Sequence, residues 1–398
     1  MKTIFRYLGT GIMVATFAVV GGTTAFGQTT DVCGESAAQD ALDAKIREEY
    51  AKKDYKAAIA TGKELLEKYG NCEYSKVMVD YVNKAIPTWE KEIKKELDAV
   101  KAAERGAVIN RFDKGLAAKN YTEVYAAGNE FASKYASDPV RLNLMVQMGL
   151  IGLYESFPPA KNYKFNEDSL KYAKQALAEI KGGAVAARKN AAGQPEFGGP
   201  LFVGTKEDTI SELNYAIGYI NYWAKNDRKA ALPYYYEAVQ QPGIHKDDAT
   251  IYDALAAYYV AGAAPVGVEI AKMIESQKTL TTDEEKLKMD ADIKAKIALY
   301  NGYLERAMDS YARAHKAYGA KTDNYSKTRK DEVYKELQAL YKRRFDKDAG
   351  LDTYMATTVA KPLPNPTTEV TPVVESDAPA ATSTTGGASA AANTVTKP

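Results

Sequence analysis

Two stretches of this chain, 66 residues apart, repeat one another without a gap: residues 53–69 read KDYKAAIATGKELLEKY and residues 119–135 read KNYTEVYAAGNEFASKY. Gly62 matches Gly128, Glu64 matches Glu130, Lys68 matches Lys134 and Tyr69 matches Tyr135. The shared parts are a turn, a helix start, a glycine inside the helix and a helix end. A unit of that size cannot bury its apolar face alone, so neighbouring units must stack on it. A glycine inside a helix costs about 1 kcal/mol relative to alanine. Its recurrence at the same place therefore predicts a second helix packed close against it.

The rest of the chain agrees with this reading. From Ser36 to about Tyr354, Ala, Leu, Glu, Lys and Tyr dominate, and apolar residues recur three and four apart, with no alternating pattern of a strand. Turn residues punctuate the pattern at Gly70-Asn71, Ser137-Asp138-Pro139, Pro158-Pro159, Asn226-Asp227, Gln241-Pro242-Gly243 and Gly319. The expected class is all-α, with adjacent helices folded back on one another as antiparallel hairpins.

Two later segments carry a related signature. Ala231-x3-Tyr235-x2-Ala238 and Ala307-x3-Tyr311-x2-Ala314 each place small, aromatic and small residues on one helix face. An aromatic-rich helix precedes the first of them, with Tyr215, Tyr219, Tyr222 and Trp223 before the Asn226-Asp227 turn. This resembles the tetratricopeptide repeat, in which the second helix of each pair carries Ala-x3-aromatic-x2-Ala. The first-helix Trp and Leu-Gly positions of that family are out of register here, and the spacing exceeds its repeat length. The resemblance implies an α-solenoid of stacked hairpins, two or three units being degenerate repeats, and it implies function through binding.

Two segments break the helical pattern. Residues 181–205 are rich in glycine and hold Pro195 and Pro200, which predicts an irregular loop inside the array. Residues 357–398 are Pro-, Thr-, Ala- and Ser-rich, above all from Lys361, and predict a disordered tail. The expected organisation is a signal peptide over 1–27, helical hairpins over 28–180, the loop over 181–205, repeat-like hairpins over 206–356 and the tail.

The signal peptide is read from Lys2 and Arg6, an uncharged run from Tyr7 to Val20, and Ala25-Phe26-Gly27 before Gln28. The run is short for a membrane span, and no stable span is expected after cleavage. Loss of Lys2 and Arg6 would move the net charge from +1 to −1. A neutral chain has no basic surplus for nucleic acid, so that partner is excluded. The exported reading places the protein in the periplasm or outside the cell. The two cysteines, Cys33 and Cys72, flank an expected hairpin, one before its first helix and the other after its second. Both then lie at the same end, which predicts a disulfide in an oxidising compartment, with free thiols as the alternative.

Motifs for catalysis are weak. Gly199 to Lys206 ends in Gly-Thr-Lys where a phosphate-binding loop needs Gly-Lys-Thr/Ser. His245 and His315 have no Ser or Cys partner in local sequence and belong to no metal-spaced cluster. Asp283-Glu284-Glu285 marks a helix N-terminus. No enzyme activity, cofactor or metal is expected. The chain holds 29 tyrosines against 10 phenylalanines. Most suit the gaps between hairpins, where the ring is buried and the hydroxyl finds a partner. Tyr215, Tyr219 and Tyr222 fall on one helix face at i, i+4, i+7. With Trp223 they form the candidate binding surface, for a protein or peptide in the bacterial envelope. A glycan ligand, or an enzyme cleft beside 181–205 with convergent carboxylates or a histidine, are the alternatives.

Overall fold

The computed structural model describes residues 32–374; the expected signal peptide and residues 375–398 lie outside that range. Twelve α-helices occur among the described residues, and the chain divides into two compact units, the first ending at Glu104 and the second beginning at Arg105. The fold is all-α apart from three short strands.

The first unit holds a 3₁₀ turn at Val32–Gly34, α1 (Ser36–Ala51), α2 (Tyr55–Tyr69) and the start of α3 (Lys76–Ala117). Helices α1 and α2 form the expected hairpin around Ile46, Ala58, Ile59, Leu65, Val82 and Trp89. Cys33 and Cys72 are disulfide-bonded, with Cα atoms 5.2 Å apart. The same corner is tied by Tyr69 Oη donating to Glu35 (3.0 Å) and Ser75 Oγ donating to the Tyr69 carbonyl (2.7 Å).

The second unit continues with α4 (Tyr121–Lys134), α5 (Val140–Ser156) and α6 (Asn166–Lys181). Strands β1 (Arg188–Lys189), β2 (Pro195–Gly199) and β3 (Phe202–Gly204) follow, then α7 (Lys206–Tyr219), a π-helical turn over Ile220–Ala224 and α8 (Arg228–Gln240). Helices α9 (Ala249–Gln277), α10 (Asp283–Gly319), α11 (Asn324–Phe345) and α12 (Leu351–Val359) complete it. One core gathers around α5, buried over nearly its whole circumference, with Phe112, Phe131, Leu170 and Leu213. Another gathers Tyr222 of the π turn with Tyr235, Tyr259, Tyr311 and Leu337 of α8 to α11. Helix α9 is long and apolar enough to cross a membrane by length and composition. Its first half is instead core, with Ile251, Tyr252, Leu255 and Tyr259 buried.

One turn design recurs. Lys53 (φ 58°), Lys119 (φ 51°) and Asn226 (φ 53°) adopt the left-handed conformation, and each is followed by an N-cap whose side chain accepts a main-chain N–H. The caps are Asp54 to Ala57, Asn120 to Glu123 and Asp227 to Ala230. The left-handed residue reverses the chain and the Asx cap satisfies an orphan donor of the next helix, so the chain turns back after a few residues. The repeated glycines serve the close approach that their recurrence implied. A Cβ at Gly62 would lie 2.8 Å from Val82 Cγ1 of α3, and one at Gly128 would lie 2.4 Å from Met148 Sδ of α5. The signature residues Ala231, Tyr235 and Ala238, and Ala307, Tyr311 and Ala314, are all buried.

Two expectations are corrected. Residues 181–205 are not an irregular loop: they hold an antiparallel β1-β2-β3 meander, in register Arg188↔Glu196 and Phe197↔Gly204. Phe197 anchors it in the core, and Gln147 of α5 donates to the Phe202 carbonyl (3.1 Å) and accepts from Leu201 N (2.7 Å). A strand pair this short is marginal alone, and the burial of Phe197 and the bonds of Gln147 supply the support it needs. The second correction concerns the tail. Val359 closes a helix, and residues 360–374 lie against the body, with Leu363 buried and Val370 packed on the second core. Low-complexity composition gives few apolar anchors, yet arginines of the body satisfy this segment's carbonyls.

Candidate functional site

Of the four residues of the expected binding surface, Trp223 alone is strongly exposed, at 57%. Tyr222 is buried and its hydroxyl donates to the Ala254 carbonyl at 2.9 Å. Tyr219 meets Phe157 edge-on, with ring centroids 4.8 Å apart. Tyr215 is stacked on His245 at 4.0 Å. The i, i+4, i+7 face therefore points into packing between α7 and its neighbours, and the π turn at Ile220–Ala224 swings Trp223 to the surface.

The stacked histidine marks a cluster that local sequence did not reveal. His245 Nε2 lies 2.6 Å from Glu212 Oε2, and Nδ1 lies 2.9 Å from Asp248 Oδ2. Tyr154 of α5 donates to the other oxygen of Glu212 at 2.8 Å. Ser211 Oγ accepts the His245 main-chain N–H, and Asp248 caps α9 by accepting from Thr250 N. Both ring nitrogens face carboxylates, so the geometry calls for a doubly protonated imidazolium. Burial works against that charge, but the hydrogen bonds to Asp248 and Glu212 outweigh it and hold the His245 pKa at about 9. For Asp248 burial is likewise outweighed by its bonds to His245 and Thr250, and its pKa falls to about 2. Burial and the nearby Glu212 push the Tyr154 phenol well up. Only the spacing of His245 and Asp248 was visible in sequence; Glu212 lies 33 residues away and Tyr154 further still. Each polar group here is already engaged by another, so the cluster clamps the 241–248 loop to α7 and α5.

An open groove of about 490 Å³ lies between α4 and α6. Its walls are Asn129 and Ala132 on one side and Lys171, Gln175 and Ala178 on the other. Arg141 and Glu179 form part of the lining, paired through two bonds at 3.0 and 2.6 Å. The antiparallel α5–α6 hairpin sets the start of one helix beside the end of the other, which brings this pair together. Tyr172 lies buried at the floor, its hydroxyl bonded to Asn129, and Lys171 Nζ stands 4.9 Å from its ring centroid. The exposed donors are an ammonium and two amides, a set suited to an acceptor-rich ligand.

A second pocket, about 380 Å³, borders the meander and is lined by Ala184, Val185, Pro195, Phe197, Thr205, Lys206 and Glu207 among others. Glu207 is the one carboxylate among its lining residues, and neither histidine is among them. The Gly199–Lys206 stretch is a β-hairpin paired Gly199↔Phe202, and the Thr205 side chain is used in a capping box with Asp208. That geometry leaves a two-residue turn in place of a loop able to wrap a phosphate. His315 lies against Tyr334, at 5.4 Å. No group of three or more His, Cys, Asp or Glu side chains is placed to hold a metal ion among the described residues. The chain matches no known protein family, no curated protein and no solved structure.

Proposed function

We propose that this chain is an exported scaffold of the bacterial cell envelope, built as a degenerate tetratricopeptide-like solenoid, that binds a protein or peptide partner and performs no catalysis. The observation that carries this reading is the α4–α6 groove. Helix faces part there around an amine, two amides and a buried tyrosine, all fixed on rigid elements, and free donors of this kind pair with the carbonyls of a polypeptide. The repeated turn, the close-approach glycines and the buried Ala-x3-Tyr-x2-Ala faces support the solenoid part. The disulfide supports export, since such bonds persist in oxidising compartments.

The test is affinity capture from envelope extract with the mature protein, comparing wild type with Lys171→Ala/Gln175→Ala and with Trp223→Ala. A partner recovered by wild type and by Trp223→Ala but lost with the groove variant is the expected result. Equal recovery by all three proteins removes the groove from the binding surface. Loss only with Trp223→Ala moves the site to the exposed indole and revives a stacking ligand such as a glycan.

A further inference from the structure

Residues 358–374 run along α10 in the opposite direction, and the body grips them by the main chain. Arg313 Nη2 donates to the Thr358 and Lys361 carbonyls, at 3.2 and 2.7 Å. Arg306 donates to the carbonyls of Asn365 (3.3 Å), Thr368 (3.0 Å) and Glu369 (2.7 Å), and to Thr368 Oγ1 (2.9 Å). Asn301 Nδ2 donates to the Val373 carbonyl at 3.4 Å, and Val373 N–H donates back to the Ala298 carbonyl at 2.8 Å. Gly302 makes room, since a Cβ there would stand 2.2 Å from the Thr371 carbonyl oxygen.

Ala298, Gly302, Arg306 and Arg313 share one face of α10 by helical spacing. That face offers forked donors in a row and a bare backbone between them. Such an arrangement reads a non-helical chain through its carbonyls and leaves the ligand's side chains largely unspecified. Here the chain turns at residues 365–368, closed by Thr368 N–H donating to the Asn365 carbonyl at 3.2 Å, and Arg306 grips that turn. Selectivity enters at two places, the buried Leu363 and the partly buried Val370, seven residues apart. Four prolines, Pro362, Pro364, Pro366 and Pro372, lower the entropy lost in ordering the segment.

We propose that this face of α10 is a binding site for non-helical, proline-punctuated polypeptide, with apolar anchors seven residues apart. Residues 361–374 are its ligand in cis, and a partner segment of the same pattern competes with them. The site is separate from the α4–α6 groove and does not depend on it.

The probe is a fluorescent peptide of residues 361–374, titrated by anisotropy into full-length protein. Wild type is expected to bind weakly, because its own segment competes. Leu363→Ser/Val370→Ser, which loosens the cis segment, is expected to bind about ten-fold more tightly. Adding Gly302→Ala to that variant is expected to abolish binding. Equal affinity in wild type and the loosened variant, both with native helicity, overturns the proposal, as does binding that survives Gly302→Ala. A concentration-dependent dimer that excludes the peptide also overturns it, in favour of exchange between copies. Should the loosened variant lose helicity, the wild-type chain answers instead. Excess isotope-labelled peptide must then raise deuterium uptake in the chain's own 361–374 fragment, and no rise overturns the proposal.

Discussion

His245 carries the strongest single-residue consequence. Its pKa of about 9 in the folded chain stands above the ordinary 6.5. A group whose pKa rises on folding stabilises fully below its unfolded value and loses that contribution as pH climbs through the folded one. Stability should therefore fall by on the order of 2–3 kcal/mol between pH 6.5 and 9. Asp248 acts at the other end: its pKa, lowered from 3.8 to about 2, makes its contribution vanish as pH drops through that range. These are two views of one ion cluster and do not add. Melting temperature measured against pH should decline on the alkaline side in wild type and stay flat in His245→Gln; the same decline in both would place the titration elsewhere. Glycine gives a second residue-scale contrast. Gly106 of α3 has open space where a Cβ would go, whereas Gly62 faces a stiff Val82 methyl at 2.8 Å. Gly106→Ala should stabilise by about 1 kcal/mol. Gly62→Ala should destabilise by about 1 kcal/mol, because overpacking outweighs the gain in propensity. Urea midpoints decide the sign of each, and a stabilised Gly62→Ala would mean that α2 and α3 have slack.

At the scale of elements, the hairpin was the most legible unit. The apolar period gave the helices, and the shared turn of the repeat and Asn226-Asp227 gave the reversals, where the structure places a left-handed residue and an Asx cap. Those signals are local, and local chemistry acts the same way wherever the chain goes next. The disulfide followed from the hairpin, since its cysteines sit at the start of one helix and the end of the next. Closing a loop of 39 residues between Cys33 and Cys72 contributes about 4 kcal/mol by restricting the unfolded chain. Cys33→Ser should accordingly raise hydrogen exchange in α1 and α2 to the level reached by reduced wild type. Unchanged exchange in both would show that helix packing alone holds the hairpin. The meander and the 360–374 segment were illegible for a common reason. Each is held by partners far along the chain, Gln147 for the turn at Leu201 and Arg306 and Arg313 for the tail carbonyls. Glycine and proline content signals only that no helix forms.

Among the described residues, the first unit has its own core around Ile46, Leu65 and Trp89, and the second has two clusters that meet at Tyr215. A compact unit with its own core can unfold as its own cooperative unit, so a single two-state description should fail for this chain. Calorimetry should resolve more than one transition, and a reducing agent should shift only that of the disulfide-bonded unit. One transition displaced as a whole by reductant would contradict this division. The two proposed binding surfaces, the α4–α6 groove and the α10 face, are both products of packing between helices. The tyrosine face on α7 illustrates the limit of one-dimensional reading: its spacing was right, but the neighbours that cover Tyr215 and Tyr222 come from α9 and from the loop before it.

By itself, the sequence determined the repeat, the helical class, the hairpin turns, the close-approach glycines and the pairing of Cys33 with Cys72. All of these rest on interactions within about one hairpin, where spacing along the chain fixes spacing in three dimensions. Tertiary structure decided the imidazolium clamp at His245, the meander anchored by Gln147, the burial of the tyrosine face and the capture of residues 360–374. In each case a charge or a main-chain carbonyl is satisfied by a side chain brought from another part of the fold, and spacing in the chain carries no record of that meeting.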